Sequence, residues 1–179
     1  YLVIAISFAL FFNCVQAQTN ETENKLLSSR DKSTIAIAVL TAKGDLVQLK
    51  SKLIGGLEAG LTTNEIKEIV VHTYAYCGFP RSIRGLQTFM EVLEERKSKG
   101  IIDQLGNEAT KVINEEDKYS RGKSILQKLT NATIPNTLSG YAAFAPIIDI
   151  FLKEHLFGDI FERDVLSFIQ REWVTISVI

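Results

Sequence analysis

Cysteine is nearly missing from this 179-residue chain, which has only Cys14 and Cys77. Leu2 to Phe12 is an almost unbroken apolar run, followed by Asn13-Cys14-Val15-Gln16-Ala17 and then the polar stretch Gln18 to Asn24. A run too short to span a bilayer that ends on a small-x-small site has the pattern of a secretory signal peptide. Cleavage is expected after Ala17, making residues 1–17 a leader and 18–29 a flexible segment of a secreted or periplasmic protein. No basic stretch or Met precedes the apolar run, so the true start is expected to lie upstream of Tyr1. Cys14 leaves with the leader, and Cys77 alone excludes an internal disulfide and any two-cysteine or metal–cysteine chemistry for the residues shown.

An excess of one charge is missing as well. Twenty Lys and Arg stand against 21 Asp and Glu, for a formal net charge of −1. The densest charged stretch, Glu94-Glu95-Arg96-Lys97-Ser98-Lys99, mixes both signs and reads as a solvated helix face. Nucleic acid is therefore excluded as a partner, because phosphate binding needs a clustered basic surface. Once the leader is removed, no membrane association is expected. Two-residue alternation bounded by hairpin turns is also absent, so the expected fold class is all-α.

What is present is helical periodicity. Ile35, Ala38, Val39 and Ala42 share a face in a first helix ended by Gly44, and Leu46, Leu49, Leu53 and Leu57 repeat the spacing in a second. Thr62-Thr63-Asn64-Glu65 forms a capping box that opens a third helix, which breaks at Gly78-Phe79-Pro80. Pro80 then precedes a helix over roughly 81–99. Residues 100–115 read as a polar connector. A second helical block runs from Glu116 to about Leu129 and resumes from Ser139 to Leu156, with Gly158 interrupting it. A last helix starts near Ser167 or Phe168 and is still running at Ile179. Arg30 to Ile37 aligns without gaps with Arg171 to Val178, suggesting a tandem repeat whose second copy is incomplete. On this reading 30–99 form the first repeat, 100–115 a linker and 116–179 a truncated second repeat. Asn20-Glu21-Thr22 and Asn131-Ala132-Thr133 are glycosylation sequons, relevant only in a eukaryotic source.

Three stretches carry a specific resemblance: Ser29 to Ala38, Leu57 to Glu68, and Tyr74-Ala75-Tyr76-Cys77-Gly78-Phe79-Pro80. Together they resemble the repeat of the carboxymuconolactone decarboxylase-like family, with its Gly-Leu-Thr entry and its Tyr-x-Gly-aromatic-Pro helix break. Glu154-His155-Leu156-Phe157-Gly158-Asp159-Ile160-Phe161 resembles the start of another such unit, which Arg163, Asp164, Leu166 and Arg171-Glu172 continue. The resemblance implies an alkylhydroperoxidase D-like helical bundle, homo-oligomeric assembly and active sites between helices. It also implies one of two activities: cofactor-free decarboxylation of 4-carboxymuconolactone, or thiol peroxidase (peroxiredoxin) chemistry using a glutamate, a Cys-x-x-Cys pair and a histidine.

The second activity needs an attacking thiolate and a resolving thiol a turn away. Asp31 falls at the glutamate position of the visible repeat, but no cysteine follows it and Lys52 stands at the histidine position. Cys77 lies outside that motif and reads equally as a small buried residue. Decarboxylation needs a cation to hold the substrate carboxylates and an acid to protonate the carbon left behind. Any imidazole proton transfer rests on His72 or His155, the only histidines. Lys52 or Arg163 can bind a carboxylate, and Asp31 and Glu172 sit at matching positions from which each can orient a histidine or lysine, or pair with its neighbouring arginine. The expected substrate is a small lactone or carboxylic acid, with no metal or organic cofactor. A thiol peroxidase, or a helical binding protein without chemistry, is the alternative.

Overall fold

The computed structural model describes residues 27–113 and 115–179. The expected leader and the sequon at Asn20 lie outside them. Among the described residues there are helices and no strands.

Helix α1 (Ser29–Lys43) opens on a capping box: the Ser28 hydroxyl accepts from the Asp31 N–H at 3.2 Å, and the Asp31 carboxylate accepts from the Ser28 N–H at 3.0 Å. Its buried face is Thr34, Ile37, Ala38, Leu40 and Thr41, rotated from the face the apolar residues alone suggest. Threonine can line that face because its hydroxyl bonds back along the helix, Thr34 to the Arg30 carbonyl at 3.0 Å and Thr41 to the Ile37 carbonyl at 2.8 Å. In α2 (Leu46–Glu58) the expected leucine face holds, with Leu49, Leu53 and Leu57 buried.

Helix α3 (Thr63–Ser98) starts at the expected capping box of Thr62 and Glu65 and is broken at Gly78, whose φ of 80° and ψ of 162° suit glycine alone. Its second arm turns back, so that the Ser82 hydroxyl donates to the Val70 carbonyl at 2.7 Å. The connector is pinned rather than loose. The Gln104 and Leu105 carbonyls accept from the Thr63 and Asn64 N–H groups, both at 2.9 Å, satisfying donors that the first turn of a helix leaves free.

Beyond it, α4 (Lys118–Thr130) lies along an eleven-residue π-helix, Phe151–Phe161. Between them, α5 (Tyr141–Phe144) and α6 (Pro146–Ile150) replace the single helix expected over 139–156. The break falls at Ala145 (φ −135°, ψ 77°), because the ring of Pro146 disfavours the helical region for the residue before it. Gly158 does not interrupt the π-helix. It and Gly122 let two backbones meet: a Cβ on Gly122 would sit 1.7 Å from the Lys153 carbonyl oxygen, and one on Gly158 would sit 3.0 Å from the Lys118 side chain.

Finally α7 (Phe168–Val178) returns across α1 and α3. Val174 completes a core with Ile37, Leu49, Leu53, Ile66, Ile69, Val70 and Val92, all fully buried. No helix among the described residues is long and apolar enough to cross a membrane.

Candidate functional site

Where α7 lies against the first arm of α3, a row of polar side chains runs through the apolar contact. Glu68, His72 and Tyr76 are spaced four apart on α3, and Arg171 and Thr175 four apart on α7, so each set shares a face. Arg171 is fully buried. Its guanidinium donates to Glu68 at 3.1 Å, to His72 Nδ1 at 3.3 Å and to the Arg163 carbonyl at 2.7 Å. Arg163 grips the same Glu68 carboxylate from outside, with contacts of 2.6 to 3.1 Å.

These bonds determine the state of His72. Arginine only donates, so Nδ1 accepts and the ring proton resides on Nε2. Nε2–H then donates to Thr175 Oγ1 at 3.0 Å. The Thr175 proton goes to the Arg171 carbonyl, also 3.0 Å away, which leaves Tyr76 as the donor in its 3.0 Å contact with Thr175. Burial, and secondarily the Arg171 charge, pull the His72 pKa down to about 3, so the imidazole is neutral at physiological pH. Burial alone would raise the pKa of Glu68, but the hydrogen bonds from Arg163 and Arg171 outweigh it and hold the carboxyl below its usual range. Burial raises Tyr76 and the negative charge of Glu172 adds to it, while the Thr175 contact opposes both, so the phenol stays protonated.

Of the residues singled out from the sequence, His72, Arg163 and Glu172 belong here, Arg163 on the Glu68 carboxylate and Glu172 half-buried within electrostatic reach of Tyr76. Asp31 is the capping residue of α1, and Lys52 is exposed on α2. Cys77 is half-buried, its thiol donating to the Thr73 carbonyl at 3.1 Å, and no second thiol lies among the described residues. The His155 side chain is 50% exposed, pairs with Asp159 at 2.9 Å and leans on Tyr74, whose ring centroid is 5.5 Å away. His155 and His72 therefore stand at separate places. Arg163 borders a groove of about 390 Å³ lined also by Asn64, Lys67, Glu68 and Val165, on the outer side of the ion cluster.

Sequence reasoning missed Glu68, Tyr76, Arg171 and Thr175 as a group. The available signal was the pair of four-residue polar spacings inside apolar stripes, an arrangement costly to bury unless the two faces meet.

Fold and cluster together define an all-α bundle with a buried polar network between two helices. The model of the carboxymuconolactone decarboxylase family matches residues 9–89, a stretch ending in the second arm of α3. The chain is also similar to the 4-carboxymuconolactone decarboxylase of Acinetobacter baylyi (strain ATCC 33305 / BD413 / ADP1), 32% identical over 69 residues. That match covers 38% of this chain and 52% of the relative, so it spans about half the length of the protein it resembles. Over a little under half of its length the chain is thus similar to the carboxymuconolactone decarboxylase family.

Proposed function

We propose that this protein carries out cofactor-free decarboxylation, or closely related acid/base chemistry, on a small lactone or carboxylic acid at the α3–α7 junction. The observation that carries this reading is Tyr76, a phenol held neutral beside the Glu172 carboxylate and tied through Thr175 to a histidine of fixed tautomer. When carbon dioxide leaves, its bonding electrons move onto the substrate, and a neutral donor aimed at the developing charge lowers the barrier. In the proposed step Tyr76 exchanges Thr175 for that oxygen, the bond to the carboxylate breaks to release carbon dioxide, and the Glu172 carboxylate takes up a proton from solvent and passes it to the carbon left behind. His72, with one nitrogen occupied by Arg171 and the other by Thr175, positions Thr175 rather than meeting substrate.

A second reading, a purely structural clamp between helices, draws support from the complete burial of His72 and Arg171. One assay separates the two. Purified protein is incubated with 4-carboxymuconolactone and other small lactone acids while carbon dioxide release is followed. Decarboxylation that falls about a hundredfold or more in Tyr76→Phe and Glu172→Gln, with unfolding temperatures little changed and His155→Ala unaffected, supports catalysis. No release by the wild type from any of these acids leaves the clamp reading.

A further inference from the structure

A second stripe of α3, made of Asn64, Lys67, Glu68 and Val71, follows the i, i+3, i+4, i+7 spacing of one helix face. It shares only Glu68 with the buried row and lines the groove of about 390 Å³ beside the ion cluster, together with Ala109, Arg163 and Val165. Asn64 fixes the connector there, its Nδ2 donating to the Gly106 and Asn107 carbonyls at 3.1 and 3.2 Å.

Two cations of this lining have donors to spare. Arg163 uses Nε and Nη2 on the Glu68 carboxylate, and its Nη1 has no partner among the described residues. Lys67 gives one of its three protons to Asn64 Oδ1 at 3.2 Å and has no other partner among them. Glu68 cannot occupy these donors, because it already accepts from both Arg163 and Arg171. Glu108, the other carboxylate at the groove, is exposed on the connector, where solvent screens it. Val71, Ala109 and Val165 are half-buried and give the groove an apolar wall. A concave site of this size, with an apolar wall and a few convergent polar groups, is how proteins hold small ligands. Two charged donors select an anion, and a carboxylate can offer each of them one oxygen.

We infer that this groove binds a small monocarboxylate with an apolar tail, one oxygen on Arg163 Nη1, the other on Lys67 Nζ, and the tail along Val71, Ala109 and Val165. Tyr76 lies two turns beyond Glu68, about 12 Å along the helix, so this site is separate from the proposed reaction centre and stands without it. The probe is hexanoate, titrated into the full chain by calorimetry, with hexanol and inorganic phosphate as controls. Hexanoate is expected to bind with a Kd of about 1 mM or below, the range for a ligand of its size. Hexanol lacks the charge and phosphate lacks the tail, so each is expected to bind at least about tenfold more weakly. Lys67 is exposed, and unchanged circular dichroism verifies that its variants fold. Lys67→Gln is expected to weaken hexanoate about tenfold or more, with Lys67→Arg restoring most of the affinity. In nuclear magnetic resonance spectra the methyl signals of Val71 and Val165 are expected to shift as hexanoate is added. No hexanoate binding at concentrations well above that Kd overturns the inference. So does hexanol or phosphate binding as tightly, or an affinity that Lys67→Gln leaves unchanged.

Discussion

Lowering the pH from 7.5 to 5 is expected to destabilise the fold through His72. The folded pKa of about 3 lies below the ordinary histidine value of 6.5, so between these limits the unfolded chain binds a proton that the folded chain refuses. Stability from this group is therefore complete above the unfolded pKa and drains away as pH falls from about 6.5 towards 3. At pH 5 the loss is about 2 kcal/mol relative to pH 7.5, because each pH unit across this window is worth about 1.4 kcal/mol. For a chain of this size that corresponds to a fall in unfolding temperature of about 4–8 °C.

Comparison with His72→Gln isolates the effect, since glutamine can accept from Arg171 and donate to Thr175 without titrating. Urea unfolding followed by circular dichroism at both pH values gives the two free energies. The wild type is expected to lose about 2 kcal/mol more than the variant between pH 7.5 and 5. Equal losses would falsify the assignment of a buried neutral imidazole. A variant that loses more than the wild type would reverse the sign and imply a histidine charged in the fold.

Two further perturbations follow from the packing. Arg171→Met leaves Glu68 with one cation and His72 Nδ1 with no donor; breaking such a buried pair costs about 3–5 kcal/mol, readable as a shift in the urea midpoint. Arg171→Lys is expected to recover less than half of that, because an ammonium lacks the planar fork that reaches Glu68, His72 and the Arg163 carbonyl together. Gly122→Ala drives a methyl into the Lys153 carbonyl and forces α4 off the π-helix, at about 1–3 kcal/mol or more. Gly55→Ala on α2 meets nothing within 4 Å and is expected to gain up to about 1 kcal/mol, so thermal melts that rank these two glycine variants the other way would refute the close-approach reading.

The outcome for each element shows what a sequence makes legible. Capping at Thr62 and the break at Gly78-Phe79-Pro80 are local events in which a few adjacent residues decide the geometry, and both are readable in advance. Asp31 is a local event of the same kind. An acidic residue three positions after Ser28 is a capping signal, and in the fold its carboxylate accepts from the Ser28 N–H at the helix start. The buried face of α1 was misjudged because a threonine that bonds its own helix behaves as an apolar residue, which a hydrophobic stripe cannot register. The cluster was harder still. Glu68 and Arg171 are 103 positions apart, and each taken alone reads as a solvated charge. Burial of a charge pays only when the partner arrives from elsewhere in the chain, so polar residues within an apolar stripe are best read as half of a pair. The same reasoning applies to Asp149 and Lys153, whose inward turn was invisible in the sequence and leaves Phe144 and Ile147 facing outward.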